Sequence, residues 1–403
     1  MRPLSIVVAM LLTPLVQAAP LVHEGDHIAI VGNTFADQLR IHGYLETRLQ
    51  QSRDISMRNL GWGGDTLTVR DRPTGFPSEE STLKAHETDL IIACFGMGES
   101  FDGEAGLAAF KNDLTAFIVS HQGKAYNAEC AVRLVLVSPI AYEYLGSTTP
   151  AVTERNRELE AYTAAMKEVA DEVEVPFIDL FEPTRRMMKD AGTTRLTTNG
   201  IHLNPYGYWA VSRVLAEALL GESVTPWKIT LDPNAAEGSA EGVRLGKVSR
   251  EKRDLVFAVT EPSGASLAPP EGIEIPASLA PQKDLLVVPN LDPGEYTLMI
   301  DDVKITTANH AEWAEGVAIE NSPAHQEAEA LRTAINDKNL QFLYSWKALN
   351  QVHIVGERKR SPSGKALPAE QVEFNELAKK REQDIREASG TKTRIWRLIA
   401  KGL

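Results

Sequence analysis

Four short stretches hold side chains that could do chemistry on a carbonyl. Gly32-Asn33-Thr34 follows the apolar run Ile28-Ala29-Ile30-Val31 and ends in a hydroxyl. Asn59-Leu60-Gly61-Trp62-Gly63-Gly64-Asp65-Thr66 is glycine-rich, and Gly96-Met97-Gly98-Glu99 closes a second apolar run. Asn199-Gly200-Ile201-His202-Leu203-Asn204 sets an imidazole three residues after an amide. A threonine hydroxyl attacks a carbonyl when a base takes its proton, so Thr34 and His202 are the pair to bring together.

The elements that must position them alternate in type. His27 to Val31, Ile55 to Leu60, Asp89 to Phe95, Val132 to Val137 and Pro176 to Leu180 read as strands. Helical patterns intervene at Phe35 to Gln50, Ala105 to Ser120 and Thr153 to Val173, with Pro205 to Leu220 closing the set. Apolar strands separated by helices predict a parallel sheet covered on both faces, a three-layer sandwich. A strand that stops at a glycine and turns into a helix places its next residues at the carboxyl edge of the sheet, where open α/β sheets hold their sites. Thr34 also suits the N-cap of a helix starting at Phe35, with Asp37 completing a capping-box-like pattern.

In order and spacing the four blocks resemble the SGNH (GDSL) hydrolase family over roughly residues 24 to 220. The resemblance implies a flavodoxin-like α/β domain that hydrolyses esters without a metal or other cofactor. It implies Thr34 at the position of the family's nucleophilic serine and Gly64 as an oxyanion N–H donor. Gly98 stands where the family has a second oxyanion donor, an asparagine, and His202 stands as the base. Asn199 replaces the aspartate that orients the base, and Asn33 replaces an aspartate that braces the loop.

These replacements carry a cost. Threonine is branched at Cβ and stiff at χ1. In a serine-protease triad the Asp-to-Asn change lowers turnover by about 10⁴ through the wrong imidazole tautomer. Loss of one oxyanion donor removes roughly 10² to 10³. Glu99 could compensate by orienting or protonating, and Arg58, Arg70 and Arg72 near the second block could bind an anionic substrate. Ser100 is a spare hydroxyl without a nucleophile elbow around it.

The 403 residues carry a net charge of −13, with 43% hydrophobic and 24% charged residues. That balance excludes a broad cationic nucleic-acid surface. Residues 357 to 403 run the other way, with 12 Lys/Arg against 7 Asp/Glu. Arg2, the apolar run Leu4 to Leu12 and Val16-Gln17-Ala18 read as an export leader over residues 1–18, giving a secreted or periplasmic chain. No segment is long and apolar enough for a membrane helix, and no Cys or His spacing suits a metal. Cys94 and Cys130 sit in or beside apolar runs and read as buried free thiols, with a disulfide as the alternative that export would allow.

The domain reading is a leader at 1–18, an SGNH-like domain at 19–224, a sandwich-like β-rich module at 225–306 and a helical C-terminal region at 307–403. Within the last, residues 308 to 356 carry an aromatic patch at Phe342, Tyr344 and Trp346, and a charged helix over 368 to 388 follows the loop Ser361–Gly364. The functional expectation is an exported hydrolase acting on a small ester or an acylated glycan through Thr34 and His202. The alternative is a binding protein that keeps the cleft for a glycan or other envelope polymer without turnover.

Overall fold

The apolar runs assemble into one parallel sheet of five strands: β1 (His27–Gly32), β2 (Ser56–Asn59), β3 (Leu90–Cys94), β4 (Arg133–Val137) and β5 (Phe177–Ile178), in the order β2-β1-β3-β4-β5. The structure, a computed structural model, describes residues 19–401 apart from 74, 147–150, 191, 193, 223–225, 262–263, 278–279, 281–282 and 350–359. The expected leader at 1–18 lies outside the described residues. Side chains alternate between the two faces of each strand. In β1, Ile28 and Ile30 enter one core and Ala29 and Val31 the other. Both faces are therefore buried, which is why these strands read as unbroken apolar runs.

One face carries α1 (Thr34–His42), α2 (Tyr44–Ser52) and α7 (Pro205–Leu220). The other carries α3 (Glu79–Ala85), α4 (Gly103–His121) and α5 (Val152–Glu172). A short α6 (Phe181–Asp190) follows β5. The expected three-layer α/β architecture is present. The expected single helix from Phe35 to Gln50 is instead two, because Gly43 sits at φ 66° between α1 and α2. A Cβ there would lie 2.4 Å from Asn336 Oδ1, and Arg332 Nη1 donates to the His42 carbonyl at 2.9 Å. The break belongs to a contact some 290 residues away in sequence.

Beyond Trp227 the chain forms two sheets. β6 (Lys228–Asp232), β7 (Glu237–Glu241), β8 (Arg244–Glu251), β9 (Asp254–Glu261), β10 (Leu285–Val287), β11 (Glu295–Ile300), β12 (Val303–Asn309) and β13 (Val317–Ala318) follow in sequence, with the short helix α8 (His310–Glu315) before β13. They share one core that includes Ile229, Phe257, Leu286, Leu298 and Trp313. The helical C-terminal region then contains α9 (Pro323–Trp346) and α10 (Pro362–Ala388). The expected loop at Ser361–Gly364 is the start of α10: Ser361 Oγ accepts from Gly364 N at 3.1 Å and Pro362 takes the first helical position.

The region does not stay helical to its end. Lys392–Ala400 is a strand, β14, paired between β11 and β9 in the middle of a sandwich sheet. Arg394, Trp396 and Leu398 alternate inward along it.

α9 and α10 also dock on the α/β domain. Lys338 is fully buried and its ammonium pairs with Glu46, whose other oxygen accepts from Asn339 Nδ2 at 2.9 Å. Arg58 pairs with Glu382 at 2.7 Å. Of the aromatic patch, Phe342 and Trp346 pack inward and Trp346 meets Trp62 edge to face at 5.7 Å, while Tyr344 is exposed beside Phe374.

Candidate active site

β1 must end in glycine. Gly32 has φ 133°, and a Cβ on it would stand 2.1 Å from the Cys94 carbonyl oxygen of the neighbouring strand. Asn33 follows and caps α1, its Oδ1 accepting from Phe35 N at 3.0 Å. The expectation that Thr34 is the N-cap is thus corrected: Asn33 holds that position because its carboxamide reaches the first free N–H. Asp37 forms no capping box and pairs with Arg40 and Lys347 instead. Thr34 becomes the first residue of the helix, and its Oγ1 accepts from Gly64 N at 3.2 Å.

The glycine loop is tethered at both ends. Asn59 Nδ2 donates to the Ala36 carbonyl at 2.7 Å and Asn59 Oδ1 accepts from Gly61 N at 2.9 Å. Trp62 N donates to the Gly32 carbonyl at 2.9 Å. Beyond Gly64, Asp65 takes a two-point ion pair from Arg72 at 2.5 and 2.8 Å, and the Arg72 guanidinium lies 4.4 Å over the Trp62 ring. A planar fork of this kind is hard to rotate, so it holds the loop that carries Gly64.

The third block opens a single 3₁₀ turn, Glu99–Asp102, with Gly98 as its cap. The Glu99 carboxylate accepts from Gly96 N at 2.8 Å and from Leu67 N at 2.9 Å. Burial pushes its pKa up, while the hydrogen bonds to backbone N–H groups pull it down. Glu99 is therefore a tie between two loops. Arg155, buried in α5, donates to the carbonyls of Met97 and Ser100 and to Ser100 Oγ at 2.6 Å, so the spare hydroxyl is taken.

The fourth block is a tight loop closed by Thr198 N to the His202 carbonyl at 2.8 Å. Glu143, 1% exposed, braces it by accepting from Leu196 N, Thr197 N and Thr197 Oγ1 at 2.6 to 3.0 Å. Asn199 Oδ1 accepts from Ile201 N and His202 N at 3.3 and 2.9 Å, and Asn199 Nδ2 lies 3.0 Å from His202 Nδ1.

Asn33, Thr34, Gly64, Gly98 and His202 all line one cavity of about 140 Å³ at the carboxyl edge of the sheet. Cys94, Phe95, Met97, Phe101, Ile140 and Ile201 supply its apolar walls. Asn199 and Glu99 stand behind it. Arg58, Arg70 and Arg72 are paired with Glu382, Glu79 and Asp65, so none is spare for an anion. Among the described residues no group of three His, Cys, Asp or Glu could hold a metal, and no helix is long and apolar enough to cross a membrane. Both cysteines are free: Cys94 is buried, and burial pushes its thiol to about 12. Cys130 is exposed, against the expectation of an interior position, because it falls in the turn after Asn127 rather than in β4.

A model of the GDSL-like lipase/acylhydrolase family matches residues 25–210. Those residues form a GDSL-like domain. A gut microbial diltiazem-metabolizing enzyme, BT4096, superposes at a TM-score of 0.73 over 96% of this chain and 99% of its own, at 16% identity. That likeness is one of fold, and it extends across the sandwich and the C-terminal helices. Axe2, an acetylxylan esterase from Geobacillus stearothermophilus, covers 49% of this chain and 96% of its own at 15% identity and a TM-score of 0.38. The acetyl xylan esterase AlAXEase covers 48% and 100% at 17% identity and a TM-score of 0.36. No curated protein matches the chain.

Within the GDSL-like domain the amide of Asn199 has chemical consequences. Two backbone N–H groups point at Oδ1, so the carboxamide cannot rotate without facing donors with a donor. Nδ2–H therefore donates to His202 Nδ1, and a neutral imidazole must carry its proton on Nε2. An imidazole in that tautomer offers a hydrogen-bond donor where a base would offer a lone pair. Glu143 and Arg155 were not foreseen as parts of the site. Glu143 is an acid at the end of the apolar run Ile140-Ala141-Tyr142, a local hint of a buried carboxylate, but its partners lie more than 50 residues on.

Proposed function

We propose that this chain is an exported ester hydrolase of low turnover that removes a short acyl group, with Thr34 as the attacking hydroxyl. The observation that carries the reading is the contact between Thr34 Oγ1 and Gly64 N at 3.2 Å, inside a cavity that His202 also lines. In the minority tautomer that carries its proton on Nδ1, His202 Nε2 takes the Thr34 proton as the Thr34 oxygen attacks the ester carbonyl, and the scarcity of that tautomer keeps turnover low. The tetrahedral oxyanion takes hydrogen bonds from backbone N–H groups at Thr34 and Gly64. Proton return to the leaving alkoxide breaks the ester bond and leaves an acyl-threonine, which water then hydrolyses by the same route.

The cavity volume of about 140 Å³ suits an acetyl-sized acyl group rather than a fatty chain. Phe101 stands on its wall, 63% exposed, with the Arg155 guanidinium 3.8 Å from its ring centre. An exposed, immobilised aromatic face beside the cavity suits a sugar ring bearing the acyl group. Export rests on the leader pattern, and an intact-mass measurement of the secreted chain starting near Ala19 is its test.

A second reading has its own observation. The Asn199 contact holds His202 as a donor, which favours a domain that binds an acylated glycan and turns it over little or not at all. Hydrolysis of p-nitrophenyl acetate separates the two. Under the hydrolase reading the parent exceeds both Thr34→Val and His202→Ala, and Thr34→Ser exceeds the parent. Equal rates in all four proteins overturn it and leave the binding reading.

A further inference from the structure

A second cavity, of about 510 Å³, opens where the GDSL-like domain, the sandwich and the α9–α10 pair meet. It shares no lining residue with the acyl site. Its size falls within the range of ligand pockets, roughly 300 to 1,000 Å³.

The wall carries five acidic and four basic residues, a small acidic excess. Arg53 is paired with Glu222, Arg386 with Asp54, and both Lys392 and Arg394 with Glu327. Every basic side chain on the wall is thus already compensated. Glu261, at the end of β9, is not: it is 8% exposed and its carboxylate makes no hydrogen bond among the described residues. α2 and α10 both end on the cavity, bringing Gln51, Ser52, Ala388 and Ser389 to its wall. Helix C-termini carry the negative pole of the backbone dipole, which adds to the same sign.

Polar atoms on this wall lack partners. Gln51 Nε2 donates to the Ala265 carbonyl at 3.0 Å, which leaves its Oε1 buried and unbonded. Ser52 Oγ and Gln50 Nε2 are buried and unbonded as well, while Arg394 Nε stands 3.7 Å from the Asp301 carboxylate. Buried polar atoms without partners cost free energy; these three belong to residues of the cavity wall but are themselves closed off from it, which leaves the Glu261 carboxylate as the unbonded group open to a guest. Ala328, Leu331, Ala334 and Ile385 give the wall an apolar stretch, and Glu24 and Asp384 stand on it as further acids.

We propose that this cavity binds a small primary ammonium compound with an apolar body, and that Glu261 is its counter-ion. A primary ammonium has three N–H donors, and the Glu261 carboxylate is the unbonded acceptor on the wall. The groups facing Glu261 are Arg394 on β14, Glu327 on α9 and Asp284 ahead of β10. Burial raises Glu261 to about 7, and the two acids work with burial against Arg394.

Isothermal titration of the full chain with benzylamine, and with benzyl alcohol as the uncharged analogue of the same shape, tests the assignment. At a pH of about 8.5, where Glu261 is ionised, benzylamine binds saturably and benzyl alcohol at least about tenfold more weakly. Glu261→Gln weakens benzylamine by about tenfold or more, and His202→Ala leaves it unchanged because the acyl site is separate. Parent protein at a pH of about 5.5 binds benzylamine more weakly, since Glu261 is then neutral while the amine is not. Asp284, raised by burial to about 6, titrates in the same range but does not line the cavity. A pH effect that persists in Glu261→Gln would come from Asp284 and count against the assignment. Absence of benzylamine binding, equal binding of the alcohol, or full affinity in Glu261→Gln overturns it.

Discussion

The Asn199 amide nitrogen and His202 Nδ1 stand 3.0 Å apart, and this contact decides which imidazole nitrogen carries the proton. Two backbone donors lock the amide. Replacing Asn199 by Asp keeps the acceptor for both and turns the atom facing Nδ1 into a second acceptor. Nδ1 then holds the proton and Nε2 is free to take one from Thr34. Turnover of p-nitrophenyl acetate by Asn199→Asp is expected to rise roughly tenfold to a hundredfold, short of the 10⁴ seen for the reverse change in serine proteases. Nitrogen-15 shifts of the imidazole check the cause, moving from the Nε2–H to the Nδ1–H pattern. A tautomer unchanged between the two proteins would contradict the argument.

The oxyanion side can be rebuilt as well. Gly98 has φ −68° and ψ −47°, a conformation open to any residue. A Cβ there meets one obstacle, the Thr66 methyl at 3.0 Å. Gly98→Asn alone is therefore expected to gain little, because its new side chain is pushed off line. Combined with Thr66→Ser, which removes that methyl, it is expected to raise turnover about tenfold or more over either single change, within the range of one oxyanion donor. A kinetic double-mutant cycle reads the coupling, and additive effects would show that the methyl is no obstacle.

The α/β architecture was legible because a parallel strand buried on both faces leaves an unbroken apolar run, as Ile28 to Val31 and Leu90 to Cys94 do. The four blocks were legible because glycine at a close approach, such as Gly32 against Cys94, cannot be replaced. What escaped depends on partners distant in the chain. The break at Gly43 answers to Arg332 and Asn336 on α9. Choosing between Asn33 and Thr34 as the cap of α1 needs the position of Gly64 N, which draws the Thr34 hydroxyl away. The alternation of Arg394, Trp396 and Leu398 marks a strand, but it follows a long charged helix that masks the change of period. Lys392 to Arg397 gains its meaning only beside β9 and β11.

Glu143 gives a stability test for the His202 loop. Its two oxygens accept three donors from Leu196 and Thr197. Glutamine turns one oxygen into an NH₂ that faces an N–H, so Glu143→Gln is expected to cost about 1 to 3 kcal/mol. Urea unfolding measures it. Because Thr197 Oγ1 in turn accepts from Gly200 N at 3.0 Å, esterase activity should fall with stability. A loss of activity without loss of stability would assign Glu143 a part at the reacting atoms.

Lys338 and Glu46 join α9 to α2 in a buried interface. Lys338→Met strands a buried carboxylate, whose loss of partner typically costs about 3 to 5 kcal/mol. Adding Glu46→Leu removes the stranded charge and should recover most of that. A double mutant no more stable than Lys338→Met would mean that the ammonium holds the helix mainly through its contact with the Met57 carbonyl at 3.0 Å.

Glu261 sets a pH dependence of opposite sign to an ordinary ion-paired acid. Burial raises its pKa from 4.5 to about 7 in the folded chain. Between those values the folded state binds more protons than the unfolded state, so the slope of stability with pH is negative there. The penalty is absent below about pH 4, grows through the window and is complete above about 7. Removing the charge with Glu261→Gln is therefore expected to raise stability above pH 7 by roughly 1 to 3 kcal/mol, from about 1.4 kcal/mol per pKa unit and some solvent screening. Near pH 4 it should change little. Thermal melts of parent and variant at both pH values check this, and a variant less stable than the parent above pH 7 would show that Arg394 needs the Glu261 charge more than burial penalises it.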